Sequence, residues 1–207
     1  MKKVKINKRD IVFEVVTHFG TEEHHELLGE DFVKIYPLKV RIVLSEGENE
    51  SDDKIIGTLN GYFFSEVEAT YCYEAMDNHS YELVDLANEF IEPFSVGFEE
   101  EDEDDEYLKQ WVVDIDEHKD TNVLIINRVF IDEEYRGNGI LKDLINVVAY
   151  SHNKCPIILK AFPLQYEGIE GQESGFRKAS LKVRKAYMNC GFTPLKRGSE
   201  YMYLIQN

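Results

Sequence analysis

The chain has 207 residues, 43% of them hydrophobic and 12% aromatic, enough apolar material for one packed core and too much for a wholly disordered polypeptide. Its 40 acidic residues against 23 basic ones give a formal net charge of −17. Such a charge repels phosphate backbones and anionic lipid, so no nucleic acid and no membrane is expected as a partner, whereas a cationic amine is electrostatically welcome.

Three cysteines, Cys72, Cys155 and Cys190, are too few and too scattered for a disulfide framework or a metal clip, and fit a reduced, cytoplasmic protein. The basic start, Met1 to Lys5, precedes a short apolar stretch interrupted by Glu14, so no signal peptide is expected. No apolar run approaches the length of a membrane span. Without internal repeats or a Pro/Ser-rich linker, residues 1–207 read as a single domain with one insertion at about 65–121.

Ile11–Thr17 and Val40–Leu44 are rich in β-branched residues and predict strands, with a short helix between them over Thr21–Leu28. Lys54–Phe64 predicts a third strand, hairpinned to Val40–Leu44 through the polar Glu46–Asp53 loop. Ser80 can cap a helix whose apolar residues fall at Leu83, Leu86, Ala87, Phe90 and Ile91, ended by Pro93. Eight consecutive acids, Glu99 to Glu106, read as a solvated loop, and an edge strand is expected around Trp111–Ile115.

Val123–Ile131 is apolar on both faces, as befits a central strand. A helix is expected over Gly139–His152, a strand over Pro156–Ala161, and a second long helix over Phe176–Cys190. Gly191 suits the left-handed end of that helix, and Phe192 can pack back on its last turn. Phe192–Leu195 and Tyr201–Ile205 complete a hairpin around Gly198. The order strand–helix–strand–helix–hairpin predicts an α/β fold with a mixed central sheet flanked by helices.

Chemistry is concentrated between the central strand and the helix after it, Val129-Phe-Ile-Asp-Glu-Glu-Tyr-Arg-Gly-Asn-Gly-Ile-Leu141. Glycines let the backbone approach a ligand closely, and the first N–H groups of a helix lack internal partners at its positive dipole end. That combination makes a cradle for a diphosphate, to which Arg136 adds a charge. A dinucleotide fingerprint would need a third glycine where Lys142 stands, and no P-loop pattern occurs. On residues alone, two glycines that simply turn the chain tightly remain the other reading.

Arg136-Gly-Asn-Gly-Ile140 after a Val/Ile strand resembles the acetyl-CoA signature of the GNAT superfamily of N-acetyltransferases. Lys185-Ala-Tyr187-Met-Asn-Cys-Gly191-Phe192 is similar to that family's Tyr-x-x-x-Gly-Phe helix end, and the two occur in the family's order. The detailed resemblance runs from Asn122 to Ile205, with a weaker likeness at Ile55–Thr58.

The resemblance implies a GNAT-like fold in which the backbone of Val129, Phe130 and Ile131 holds the pantetheine arm and thioester. It implies further that Arg136, Gly137, Asn138, Gly139, Ile140 and Leu141 wrap the diphosphate. Ser180 stands where the family often has an asparagine touching the cofactor. Tyr187 is the implied catalytic acid at the departing sulfur, and the Ile131 N–H the implied donor to the carbonyl; Tyr187 also reads as a core aromatic. Leu141 departs from the family's Gly or Ala, which predicts a reshaped cradle. The inserted segment at about 65–121 is a second departure, expected to wall the acceptor site.

The resemblance does not supply a base, because the central strand carries Asn127 and Arg128 where some relatives have a glutamate. His79, Glu82 and Asp85 in the insertion are able to deprotonate an amine, and none is singled out. Adjacent His24 and His25 point apart on any regular element, so no metal is expected. Cys190 reads as a small apolar filler. The expected function is therefore acetyl transfer from acetyl-CoA to a primary amine of a small molecule or protein, in a monomer or homodimer. The alternative is a catalytically idle acyl-CoA-binding regulatory module. Acetylation of an aminoacyl-tRNA is disfavoured by net charge, despite the basic Arg177, Lys178, Lys182, Arg184 and Lys185.

Overall fold

The computed structural model describes residues 10–17, 34–45, 53–65, 76, 80–90, 122–152, 155–166 and 173–205. The strands are β1 (Ile11–Thr17), β2 (Lys34–Leu44), β3 (Lys54–Ser65), β4 (Val123–Ile131), β5 (Ile157–Lys160), β6 (Thr193–Pro194) and β7 (Tyr201–Leu204). Among the described residues three α-helices accompany them: α1 (Tyr81–Phe90), α2 (Ile140–Ser151) and α3 (Glu173–Met188). The fold is α/β, with one seven-stranded sheet in the order β1-β2-β3-β4-β5-β7-β6. Only β4 and β5 run parallel, with α2 as their crossover; the remaining pairs are antiparallel.

The expected strands and helices within the described residues are present, with shifted ends. β2 begins at Lys34 rather than Val40, because its pairing with β3 extends to Lys34↔Ser65, beyond the Leu38 at which its described pairing with β1 begins. The expected Thr21–Leu28 helix, the Trp111–Ile115 strand and the acidic run lie outside the described residues. Ser80 caps α1 through its Oγ, which accepts from the Leu83 N–H at 3.4 Å. Gly191 is left-handed at φ 102°, and the Tyr187 and Phe192 rings meet edge-on at 5.5 Å. Among the described residues, no helix is long and apolar enough to cross a membrane.

Each face of the sheet carries its own core. One packs Leu38, Val40, Ile42, Leu59, Leu124 and Ile126 against Leu144, Ile145 and Val148 of α2, with Tyr187 and Phe192 at its end. The other packs Phe64, Ile125, Ile158 and Tyr203 against Leu83, Leu86, Ala87 and Phe90 of α1. Both helices are amphipathic, so burying one stripe of each accounts for their position.

A break in register decides what happens at the sheet's centre. Asn60 pairs with Arg128 but Gly61 pairs with Ile126, which leaves Asn127 as an extra residue in β4. An extra residue inverts the alternation of side chains beyond it. Leu124 and Ile126 face the α2 core before the bulge; Val129 and Ile131 pack against it after the bulge, and Phe130 is left 48% exposed. Gly61 makes the bulge sterically possible, since a Cβ at this position would run into the Ile125 carbonyl oxygen.

Gly61→Val is therefore expected to destabilise the protein by about 2 kcal/mol in urea unfolding, although valine is the better strand former. Unchanged or increased stability would show that β3 does not press on the bulge.

Candidate functional site

Beyond the bulge, β4 and β5 part company. Their parallel pairing covers Leu124–Ile126 against Ile157–Leu159. β4 then stays with β3 through Ile131↔Gly57, while β5 follows β7 through Lys160↔Tyr201 and a bond from the Ala161 N–H to the Glu200 carbonyl. A wedge opens between the C-terminal ends of the two parallel strands, the place where open α/β sheets take ligands.

The edge of β4 that lines this wedge presents main-chain groups. Asp132 N–H donates to the Ile56 carbonyl at 2.9 Å, which fixes the phase of the antiparallel ladder. By alternation, Phe130 and Arg128 bond to β3, and Val129 and Ile131 direct their N–H and C=O away from it, into the opening. The Ile131 carbonyl there accepts from Arg136 Nε at 2.7 Å. Phe130 thus contributes chain continuity, with its own main-chain groups engaged on the far side.

A one-turn 3-10 helix, Glu133–Tyr135, carries the chain from β4 towards α2. Lys54 at the start of β3 pins it: Nζ lies 3.0 Å from the Glu134 carboxylate, 3.1 Å from the Tyr135 hydroxyl and 5.0 Å from the Tyr135 ring centroid. Asn138 closes the turn, its Nδ2 donating to the Tyr135 carbonyl at 2.9 Å. Gly137 and Gly139 have φ of 88° and 80°, conformations that L side chains rarely adopt. The first intrahelical bonds of α2 are donated by Lys142 and Asp143 to the Gly139 carbonyl. The N–H groups of Ile140 and Leu141 precede them at the positive end of the helix dipole. Ile140 is buried, and the Leu141 side chain packs against the α2-side core. The bulk at Leu141 is therefore directed inward, to the core.

The last turn of α3 comes to the same end of the sheet. Tyr187 is buried in the core shared with Ala161, Leu159 and Ile140, and burial pushes its phenol above the ordinary tyrosine range, with Cys190 adding to the shift. Half-burial likewise raises the Cys190 thiol, opposed by the Lys142 ammonium and assisted by Asp143, so Cys190 lies beside the first turn of α2. Its Sγ bonds to the Ala186 carbonyl at 3.3 Å and it packs against the core, as a filler would. Ser180 is half-buried two helical turns before Tyr187, hence on the same side of α3.

The opposite mouth of the wedge is charged. Lys160, next after the last β5 residue paired to β4, places Nζ 3.2 Å from Asp85 of α1 and 3.5 Å from Glu200. The same ammonium lies 5.1 Å from the Tyr201 ring centroid. Partial burial pulls the Lys160 pKa down, but Tyr201, Glu200 and Asp85 together outweigh it and hold the ammonium above its usual range. Of the residues able to deprotonate an amine, Asp85 is thus brought to the wedge; the side chains of His79 and Glu82 lie outside the described residues. Among the described residues, no group of three or more His, Cys, Asp or Glu side chains could hold a metal ion.

Sequence reasoning found the turn and the helix end but missed Gly61, Lys54 and Lys160. Gly61 is a glycine inside a strand pattern, a known mark of close backbone approach, and that signal could have been used. The two lysines act through partners distant in sequence and leave no local trace. No protein-family model matches the chain, and no curated protein or solved structure is significantly similar to it.

The Arg136 geometry separates arginine from lysine. Nε is committed to the Ile131 carbonyl, which leaves the fork's terminal N–H groups as further donors, a division that a single ammonium cannot reproduce. Titration calorimetry with coenzyme A is expected to give about tenfold weaker binding for Arg136→Lys, or about 1.4 kcal/mol. Equal affinity would remove Arg136 from the anion site.

Proposed function

We propose that the protein is a GNAT-like N-acetyltransferase that transfers an acetyl group from acetyl-CoA to a primary amine of a small molecule or protein. The observation that carries this reading is the wedge between β4 and β5, lined by the main-chain groups of Val129 and Ile131 and ending at the Gly137–Leu141 turn. Open strand edge suits an amide-bearing arm, and helix-terminal amides beside Arg136 suit a diphosphate. Gly137 and Gly139, without Cβ atoms, let both approach. The two sequence motifs, distant in the chain, come to one end of the sheet, where Cys190 lies beside the first turn of α2.

Acetyl-CoA supplies a thioester whose carbonyl accepts an amine and releases a thiol. Overall, an ammonium and a thioester give an amide, a free thiol and one proton; the N–C bond forms and the C–S bond breaks. The Ile131 N–H, directed into the wedge, polarises the carbonyl oxygen. Its own carbonyl, engaged by Arg136, is held in place and so keeps the N–H aimed. Tyr187 donates a hydrogen bond to the departing sulfur. Its raised pKa keeps the phenol protonated, yet makes complete transfer to a thiolate, whose conjugate acid has a pKa of about 8.5, uphill. Stabilisation by hydrogen bonding rather than full protonation is therefore its contribution.

Incubation with acetyl-CoA and a panel of amines, read as free thiol, tests the function. Binding without thiol release on any amine would indicate the idle acyl-CoA module, and no binding would overturn both readings.

Tyr187→Phe is expected to lower kcat about tenfold with coenzyme affinity unchanged. The wild-type rate should rise with pH as the acceptor ammonium loses its proton, with no falling limb up to about pH 10, because Tyr187 stays protonated there. Undiminished turnover in the phenylalanine variant would remove Tyr187 from the mechanism.

A further inference from the structure

The two mouths of the wedge differ in chemistry. On the α2 side stand the glycine turn, Arg136, Leu141 and the buried Tyr187, a setting for an anionic chain and an apolar thioester. On the α1 side stand Asp85, Glu200, Tyr201 and Lys160, with Glu89 of α1 paired to Lys196 at 3.1 Å. Among the described residues there, three carboxylates stand against two ammonium groups. Asp85, Lys160 and Glu200 keep 37%, 32% and 32% of their side-chain surface exposed, so a solute can reach them. Across the opening, strand alternation places Arg128 of β4 on this same face. The described carboxylates of this face belong to the α1, β5 and β7 bank.

We propose that the acceptor enters from the α1 side and is a primary amine bearing a second cationic centre, for which Asp85 and Glu200 are the specificity-determining carboxylates and Lys160 the positioning residue between them. This rests on the acetyltransferase reading. The reacting nitrogen must shed its proton and with it its charge before it attacks, so carboxylates cannot hold that nitrogen as a cation through the reaction. A second ammonium keeps its charge throughout and is what they recognise, against the Tyr201 face. Lys160 is itself an ammonium resting between two carboxylates and an aromatic ring, which shows that this bank accommodates such a group. Its tether to the end of β5 holds Asp85 and Glu200 at the wedge.

The test compares kcat/KM for diaminobutane with that for aniline, which is uncharged at neutral pH, at saturating acetyl-CoA. Wild type should prefer the diamine, with the preference shrinking as salt is added. In the D85N/E200Q double variant the diamine-to-aniline ratio should fall about tenfold, chiefly through KM, while coenzyme affinity by calorimetry stays at the wild-type value. Asp85→Glu should retain most of the preference. A ratio unchanged in the double variant, with coenzyme still bound and acetyl still transferred, overturns the acceptor assignment alone. Absence of any diamine preference in wild type does the same, even should the double variant misfold. Failure of wild type to bind coenzyme or to release thiol overturns the acetyltransferase reading and this inference with it.

Discussion

A single inserted residue, Asn127, sets the geometry of the centre of the sheet. Main-chain hydrogen bonding pulls adjacent strands together along their whole length, and an uninterrupted β4 would hold β3 on one side and β5 on the other. The bulge satisfies β3 and releases β5 at the same step in the sequence. It also exchanges the faces, so Val129 and Ile131 rather than Phe130 meet the core. Both consequences need Gly61, whose missing side chain makes room for the Ile125 carbonyl. A strand lined with unpaired main-chain groups is costly when buried, and a cleft open to solvent or ligand meets that requirement.

The net charge of −17 sits awkwardly with a donor that carries several phosphate charges. Screening reconciles them: at physiological salt the Debye length is about 8 Å, so a ligand responds to the groups around it rather than to the sum over the chain. Around the glycine turn the Ile140 and Leu141 amides, Arg136 and Lys142 favour an anion, and of the carboxylates beside them Glu134 is paired with Lys54 while Asp143 lies in the first turn of α2. On the α1 side of the sheet, Asp85 and Glu200 are paired with Lys160.

Most of the architecture was legible because it rests on local periodicity. The span of β4 was read at both ends, and α2 and α3 to within a few residues, since long apolar stripes and glycine ends are written in consecutive residues. The glycine turn was legible for the same reason: Arg136, Gly137 and Gly139 are neighbours in the chain. What could not be read were pairings between elements. The contact of Lys54 with Tyr135, and that of Lys160 with Asp85, joins residues about 80 positions apart. The bulge was hidden too, because a strand apolar on both faces gives no alternation from which a change of phase could be noticed.

Leu141 illustrates how position outweighs identity at such a turn. A larger side chain where the resembling family keeps a small one suggested a reshaped cradle. A helical side chain leans back towards the N-terminus of its own helix, but its azimuth around the axis decides whether it meets ligand or core. At Leu141 that azimuth points to the core, where it is one of the half-buried residues packed against the α2-side cluster. The amides ahead of it keep their direction whatever the side chain, because they belong to the main chain. The same reasoning explains why the two glycines are not interchangeable with larger residues: at φ 88° and 80° the constraint is on the backbone itself, and no outward rotation of a side chain relieves it.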